Sequence, residues 1–432
     1  MFNFTNWNRD EAFQTQKNLL KTGIFFSLFA CLVIGMTTHA VQGAEKGPIK
    51  IGFIAPLTGN FAQIGLDMVE GFKMFWNENN YTAAGRKIEV IVEDEAGDPA
   101  TAVTKVRKLI VHDKVNLIVG VFQGSVSYAI APICVETGTP FVNTASAADD
   151  LTQRKRSKYV LRICHTGGEL GHVAGDFAYN KLGWRKVATL GFDYSWGYEC
   201  TGGFQRVFED LGGKVIQKAW IPIGTMDFGP YLANLNRNAD GLFEVVTGAA
   251  SIRFIKALRL NGLLDKWKVI APGTATDETL LPALGDDALG VYSVWNYSAV
   301  LKTPQNLKFI EKVKKSYNKD VTMPIAINYT GADWVMRGIK AVNGDVEDKE
   351  KFLQALRNVE IPDALQGPLK LDKYGHAIQN NYMRRVDKVG NAYQNTVVET
   401  YPLVTQFYKY DPETFLKSPV YNRDYPPCKF CE

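Results

Sequence analysis

The segment from Ile49 to Ser125 alternates apolar strands with helical stretches, and nothing else in the chain constrains its fold as strongly. The run IKIGFIA (Ile49–Ala55) stops at a turn over residues 56–65 and is followed by a helical stretch at 67–78. A second strand, 87–94, breaks at Gly97-Asp98-Pro99 and enters a helix over 100–112. A third strand, within 115–125, ends in the glycine-bearing turn Gly120–Ser125. Such alternation predicts a parallel sheet. In open α/β sheets ligands sit where strands end and helices begin, so the turn before Ser125 is the first candidate site. Asp98-Pro99 reads as a helix start, with Asp98 as N-cap and Pro99 at the first helical position.

The same unit occurs twice. Residues 115–120 lead through Gly124-Ser125 into a helix to Val135, closed by Gly138 before a strand at 140–142. Residues 241–248 lead through 249–251 into a helix to Leu260, closed by Gly262 before Lys268–Pro272. This doubling predicts two lobes of like architecture rather than one continuous sheet. The second lobe is expected to hold a strand at 185–193, a turn at Gly197, a helix at 202–211 and a strand at 214–222. Helices at 306–317 and 329–342 read as a return to the first lobe. The stretch beyond about Thr400 is rich in Tyr and Pro, lacks periodicity and is expected to wrap over a surface.

At 432 residues the chain has room for two domains, and 46% hydrophobic with 22% charged residues is ordinary globular composition. The cluster Arg154-Lys155-Arg156 with Lys158 reads as a solvated loop, so no nucleic-acid partner is expected. Lys17 and Lys21 precede an apolar run at 23–36, and small residues follow up to Ala44. Residues 1–44 therefore read as a secretory signal peptide; the run is shorter than the roughly 20 residues of a membrane span. Cys31 lies inside the run rather than at its end, which argues against lipidation. The expected mature protein is exported and periplasmic. Six cysteines less Cys31 leave five, an odd number that demands a free thiol or an intermolecular bond in an oxidising compartment. Cys428 and Cys431 lack the further ligands of a zinc site and read as a local disulfide or two thiols.

Catalytic signatures are missing: no G-x-S-x-G elbow, no P-loop, no H-E-x-x-H and no G-x-G-x-x-G. Neither enzymatic turnover nor a cofactor is expected. His165, Glu169 and His172 have helical spacing, but glycines interrupt the stretch and would leave metal ligands poorly preorganised. Glu169 is placed to favour a helix N-terminus instead. Asp94, Glu95 and Asp98 form an acidic cluster, for which calcium is a weak alternative to the helix start. Binding chemistry remains. A helix starting after Gly124-Ser125 offers unpaired N–H groups to an anion, with Ser125 or Ser127 adding a hydroxyl or simply capping the helix. The next strand ends in Asn143-Thr144-Ala145-Ser146-Ala147-Ala148, whose small side chains allow close approach to the main chain.

The ordered series PLTGNFAQIG, Glu93-Asp94 with Gly97-Asp98-Pro99, LIVGVFQGS, PFVNTASAADDLT, FDYSWGYECTGGF and GPLKLDKYGHAIQN resembles the leucine/isoleucine/valine-binding family of ABC-importer solute-binding proteins. That resemblance implies an α/β fold with two Rossmann-like lobes joined by a three-strand hinge, the type I periplasmic-binding-protein fold. It implies a ligand held between lobes at 47–163 with 297–369 and at 164–296 with 370–410, followed by a tail at 411–432. It also implies a monomer that delivers its ligand to a membrane permease. Carried over by position, the carboxylate-binding turn falls on Gln123, Gly124 and Ser125, and the second loop on Ala145, Ser146 and Ala147. The aromatic lid falls on Trp196. Phe61 and Phe122 join the aromatic wall, with Gly248 and Thr274 on the second lobe.

The chain departs from the amino-acid binders in lacking the cysteine pair common near Gly97 and Gln123 and in two ways that bear on the ligand. Trp196 stands where those typically have tyrosine. The loop supplying a glutamate for the ligand ammonium reads Gly273-Thr274-Ala275. A small aromatic carboxylate of the benzoate, phenylacetate or cinnamate type therefore fits better than an α-amino acid, whose unpaired ammonium would cost several kcal/mol. A branched-chain amino acid or amide receptor, a ligand sensor and a secreted hydrolase are the alternatives.

Overall fold

A computed structural model describes residues 46–431; the expected signal peptide lies outside them. Strand β1 (Ile49–Ala55) is flanked on both sides, and its Ile49, Ile51 and Phe53 side chains are fully buried. Helix α1 (Ala62–Glu78), β2 (Thr82–Ala83), β3 (Arg86–Asp94), α2 (Pro99–Arg107), β4 (Leu117–Gly120), α3 (Gly124–Glu136), β5 (Phe141–Asn143) and β6 (Val160–Arg162) follow. The first sheet has the order β2-β3-β1-β4-β5-β6. β3, β1, β4, β5 and β6 run parallel, with Ile51 opposite both Val90 and Leu117, and β2 is antiparallel. Asp98 caps α2 by accepting from Thr101 N–H at 2.7 Å, with Pro99 at the first position.

The chain then crosses to a second sheet through α4 (Gly167–Asn180), β7 (Lys186–Phe192), α5 (Ser195–Asp210), β8 (Lys214–Ile221), β9 (Gly241–Val245), α6 (Ala249–Leu260), β10 (Lys268–Pro272) and β11 (Tyr292–Trp295). Helices α7 (Pro304–Tyr317) and α8 (Met323–Ala341) pack back on α1. The Tyr329 ring lies 5.2 Å from that of Phe75, and Lys312 pairs with Glu78 at 2.6 Å. After β12 (Glu360–Ile361) and β13 (Leu369–Leu371), the long hairpin β14 (Ala377–Val389) and β15 (Ala392–Val404) joins the second sheet through β11. Two α/β sheets thus form two lobes.

Several sequence expectations shift. Helix α5 starts at Ser195 rather than at residue 202, and Gly197 lies inside it rather than in a turn. Its glycines weaken local helix propensity but let α4 and α5 approach closely, and that packing decides the matter. β15 was not foreseen; Gly390, with φ 60°, and Asn391 join two runs that pair in register along most of their length. Arg154 is no solvated side chain. It pairs with Asp150 at 3.0 Å and donates to the Ser418 carbonyl at 2.5 Å, anchoring the C-terminal segment. That segment lies along α4 and α5: Tyr421 meets His172 at 3.0 Å and Tyr410 donates to Asp210 at 2.6 Å. Cys428 and Cys431 are bridged, while Cys134, Cys164 and Cys200 are free and buried.

The chain leaves the first sheet after β6, returns to pack on α1 with α7 and α8, and re-enters the second sheet with β14, and a buried hydrogen-bond chain ties these three crossing segments. His165 Nδ1 meets Asn296 Oδ1 at 3.2 Å, and Asn296 donates to Gln379 Oε1 at 3.0 Å. Glu169 closes a capping box with Thr166 at the start of α4. It also meets His376 Nε2 at 2.8 Å and accepts from Asn381 at 2.6 Å. Burial raises Glu169 to about 8 and lowers His376 to about 3, each toward its neutral form. His165 and Glu169 hydrogen-bond among the crossing segments, whereas His172 bonds to Tyr421 of the C-terminal segment.

Candidate functional site

The carboxyl ends of β3, β4 and β5 converge at one edge of the first sheet. Phe61 and Phe122 meet there with ring centroids 5.2 Å apart. The Gln123 side chain reaches Gly97, where an added Cβ would lie 2.8 Å from Gln123 Oε1 and 3.7 Å from the Phe61 ring. Gln123 has extended backbone and starts α3, yet no side chain caps that helix. Ser125 is exposed, and the Ser127 hydroxyl donates back to the Gln123 carbonyl at 3.3 Å. The N-terminal turn of α3 therefore keeps its positive end uncapped by any side chain.

The loop after β5 is a buried, self-bonded turn. Asn143 Oδ1 accepts from the N–H groups of Ala145 at 3.2 Å and Ser146 at 2.9 Å, and Asn143 Nδ2 donates to the Ser146 carbonyl at 2.9 Å. Those two N–H groups are already used within the turn. Arg162, fully buried on β6, donates to the carbonyls of Ala148 at 2.6 Å and Asp149 at 3.2 Å, and to the Thr152 hydroxyl. The turn is thereby clamped against the sheet.

Across the seam, a Cβ added at Gly124 would lie 3.4 Å from Ala148 Cβ and 3.7 Å from Ser195 Oγ. The start of α3 thus faces the start of α5, where Trp196 sits. Trp196 belongs to an aromatic group that the sequence reading only partly found. His165 lies tilted against Trp295 at 4.3 Å and meets Trp196 edge-on at 5.8 Å, and the two indoles lie 6.4 Å apart. Burial lowers the His165 pKa to about 3, so this imidazole is neutral. The position of Trp295 at the carboxyl end of β11 was the available signal.

The loop after β10 explains its own composition. At Gly273 a Cβ would lie 2.5 Å from the Trp295 ring and 2.8 Å from Arg384 Nη2. Any side chain there, a glutamate included, would displace both. Arg384 is fully buried and meets Glu278 at 3.3 Å, with further bonds to Ser293 Oγ and the Gly273 and Tyr297 carbonyls. Asn395 also donates to Glu278, at 3.0 Å. Where the amino-acid binders are expected to place an acid, this chain packs an indole and a guanidinium.

Four of the predicted residues hold buried polar atoms without a hydrogen-bond partner: Gln123 Oε1, Ser146 Oγ, Trp196 Nε1 and Thr274 Oγ1. Phe61, Phe122 and Gln123 come together at the end of the first sheet, and Gly124 approaches Ala148 and Ser195, the neighbour of Trp196, along the seam. Ala145 and Ala147 are buried in the adjoining turn. Gly248, with φ 68°, precedes α6 and has open space around it. Ser195, His165, Trp295 and Arg384 were not singled out as site residues from sequence. Among the described residues no group of three or more His, Cys, Asp or Glu side chains is placed to hold a metal.

Comparison with known proteins agrees with this architecture. The chain is 28% identical over 380 residues to Leu/Ile/Val-binding protein homolog 6 of Brucella melitensis, a match covering 86% of this chain and 96% of the relative. An ABC transporter substrate-binding protein from Sphaerobacter thermophilus superposes with a TM-score of 0.80 at 31% identity, covering 82% of this chain and 98% of that one. The solute-binding protein of an ABC transporter from Rhodopseudomonas palustris BisB5, solved with 3,4-dihydroxybenzoic acid, superposes with a TM-score of 0.78 at 30% identity, covering 84% and 99%. Residues 48–391 match the family described as periplasmic binding protein, and the chain belongs to that family.

Proposed function

We propose that this protein is the periplasmic receptor of an ABC importer, exported by a cleaved signal peptide, that captures a small aromatic carboxylate between its lobes and presents it to a membrane permease as a monomer. The observation that carries the ligand class is the loop at Gly273. Trp295 and Arg384 fill the space an ammonium-binding acid would need, while the start of α3 keeps N–H groups for a carboxylate. Phe61, Phe122 and Trp196 supply apolar faces for a flat ring, and the unpartnered atoms of Gln123, Ser146, Trp196 and Thr274 suit ring substituents. The ligand of the R. palustris relative is of this chemical class. The site binds without turnover, and delivery follows from closing and opening of the lobes.

Calorimetry with benzoate, 4-hydroxybenzoate, 3,4-dihydroxybenzoate, phenylacetate and leucine tests this reading. At least one aromatic acid should bind far more tightly than leucine, and Trp196→Ala should weaken that binding by about 1–3 kcal/mol through lost apolar contact and stacking. Tight leucine binding without any aromatic acid would refute the ligand class and leave the receptor role standing. In small-angle scattering the bound ligand should also reduce the radius of gyration, because a ligand touching both lobes favours the closed form.

A further inference from the structure

Beside the candidate site, a buried seam joins the two lobes through acidic groups that ligand binding does not explain. Asp149 comes from the clamped turn after β5, and Glu199 from the second turn of α5. Both are almost wholly buried. The Asp149 carboxylate accepts from Gly168 N–H at the start of α4, at 3.1 Å to each oxygen, while Asp149 N–H donates to Glu199 Oε1 at 3.2 Å. Each acid is thus held by a backbone group of the opposite lobe.

The charges around this seam do not balance. Arg162 is the cation facing both carboxylates. Arg154 pairs at 3.0 Å with Asp150, the remaining neighbouring acid. The other titratable groups that face the seam are Tyr128 on α3, Cys200 on α5, Tyr194 before α5 and Tyr421 from the C-terminal segment. Burial pushes all four upward, so they are neutral around pH 7. Arg206 lies behind Tyr421, and the Glu169–His376 pair, each member shifted toward its neutral form, flanks Arg162. One guanidinium against two carboxylates leaves one negative charge in a dry seam, and a single added proton removes it.

We propose that Asp149 and Glu199 share a proton in the closed protein and release it when the lobes part, so that capture of the ligand anion is coupled to uptake of a proton. Burial raises Asp149 to about 7, and burial beside Asp149 holds Glu199 well above the ordinary carboxylate range. In the open form, water restores both toward roughly 4. The sign follows from that difference. Below about pH 4 both forms are protonated and closure is independent of pH; from there through the raised closed-state values, closure binds the extra proton and weakens as pH rises. One coupled proton corresponds to about a tenfold loss of affinity per pH unit.

The test uses benzoate, whose carboxylate stays ionised throughout, titrated into the full mature chain between pH 6 and 8. The wild type should lose affinity about tenfold per pH unit, and Glu199→Gln should flatten this slope. Asp149→Asn should do the same and substitutes if Glu199→Gln does not fold. Asp265→Asn, at an exposed acid outside the seam, should keep the wild-type slope. A pH-independent wild type, or an unchanged slope in both pair variants, overturns the proposal. If benzoate does not bind, the ligand-free radius of gyration decides: it should rise between pH 5.5 and pH 8.5 in the wild type and stay constant in Glu199→Gln, and an equal radius at both pH values refutes the proton coupling.

Discussion

Arg162→Leu is expected to destabilise the protein by about 3–5 kcal/mol, the range found when one partner of a buried ionic arrangement is removed. The guanidinium is fully buried and donates to two carbonyls and a hydroxyl of the 148–152 turn. Leucine would leave those acceptors unpaired and Asp149 without its facing cation. Chemical denaturation would read the loss as a lower midpoint. Arg162→Lys should recover little, because an ammonium cannot span acceptors that the planar fork reaches together. The turn also carries Ala148, which abuts Gly124, so the surviving folded fraction should bind its ligand weakly. Near-wild-type stability in Arg162→Leu would show that the clamp is dispensable.

A comparable loss is expected from Gly203→Val. Helices α4 and α5 cross where a Cβ at Gly203 would collide with the Gly168 carbonyl and lie 2.8 Å from Gly168 Cα. The colliding atoms are backbone, so no rotamer change relieves them. The helices must separate, opening the contacts of Phe204 and Phe208 with Leu170, Val173 and Ala174 in the core below. Overpacking a tight core costs about 1–3 kcal/mol even where side chains can yield, and a backbone collision belongs at or beyond the upper end. Thermal unfolding should show a clear drop, and Gly203→Ala a smaller one. An unchanged transition in the valine variant would mean the two helices are free to slide apart.

Both effects arise from contacts between segments distant in the chain, which is also where the sequence was hardest to read. Strand alternation at Ile49–Ala55 and Lys268–Pro272, the helix start at Asp98-Pro99 and the turn before α3 were legible. Each depends on residues within a few positions of one another: burial on both faces of a parallel strand, a side chain capping its own helix, a glycine ending a turn. The series of such local signals, in order, sufficed for the two-lobed α/β fold and for the place where α3 starts.

Tertiary structure decided the rest. Whether residues 195–201 are helical depended on the packing of α5 against α4, which outweighs the low helix propensity of its glycines. The three crossings are tied by His165, Asn296 and Gln379, the first two separated by 131 positions, and no spacing rule relates them. The family resemblance implied that the loop at Gly273-Thr274-Ala275 lacks the acid expected of amino-acid binders. Only the packed structure shows that Trp295 and Arg384, the latter paired with Glu278, take up the space, so that a missing side chain becomes a filled corner. Local chemistry is written in neighbouring residues, whereas what fills and what pairs within a buried corner is set by whichever distant side chains the fold delivers there.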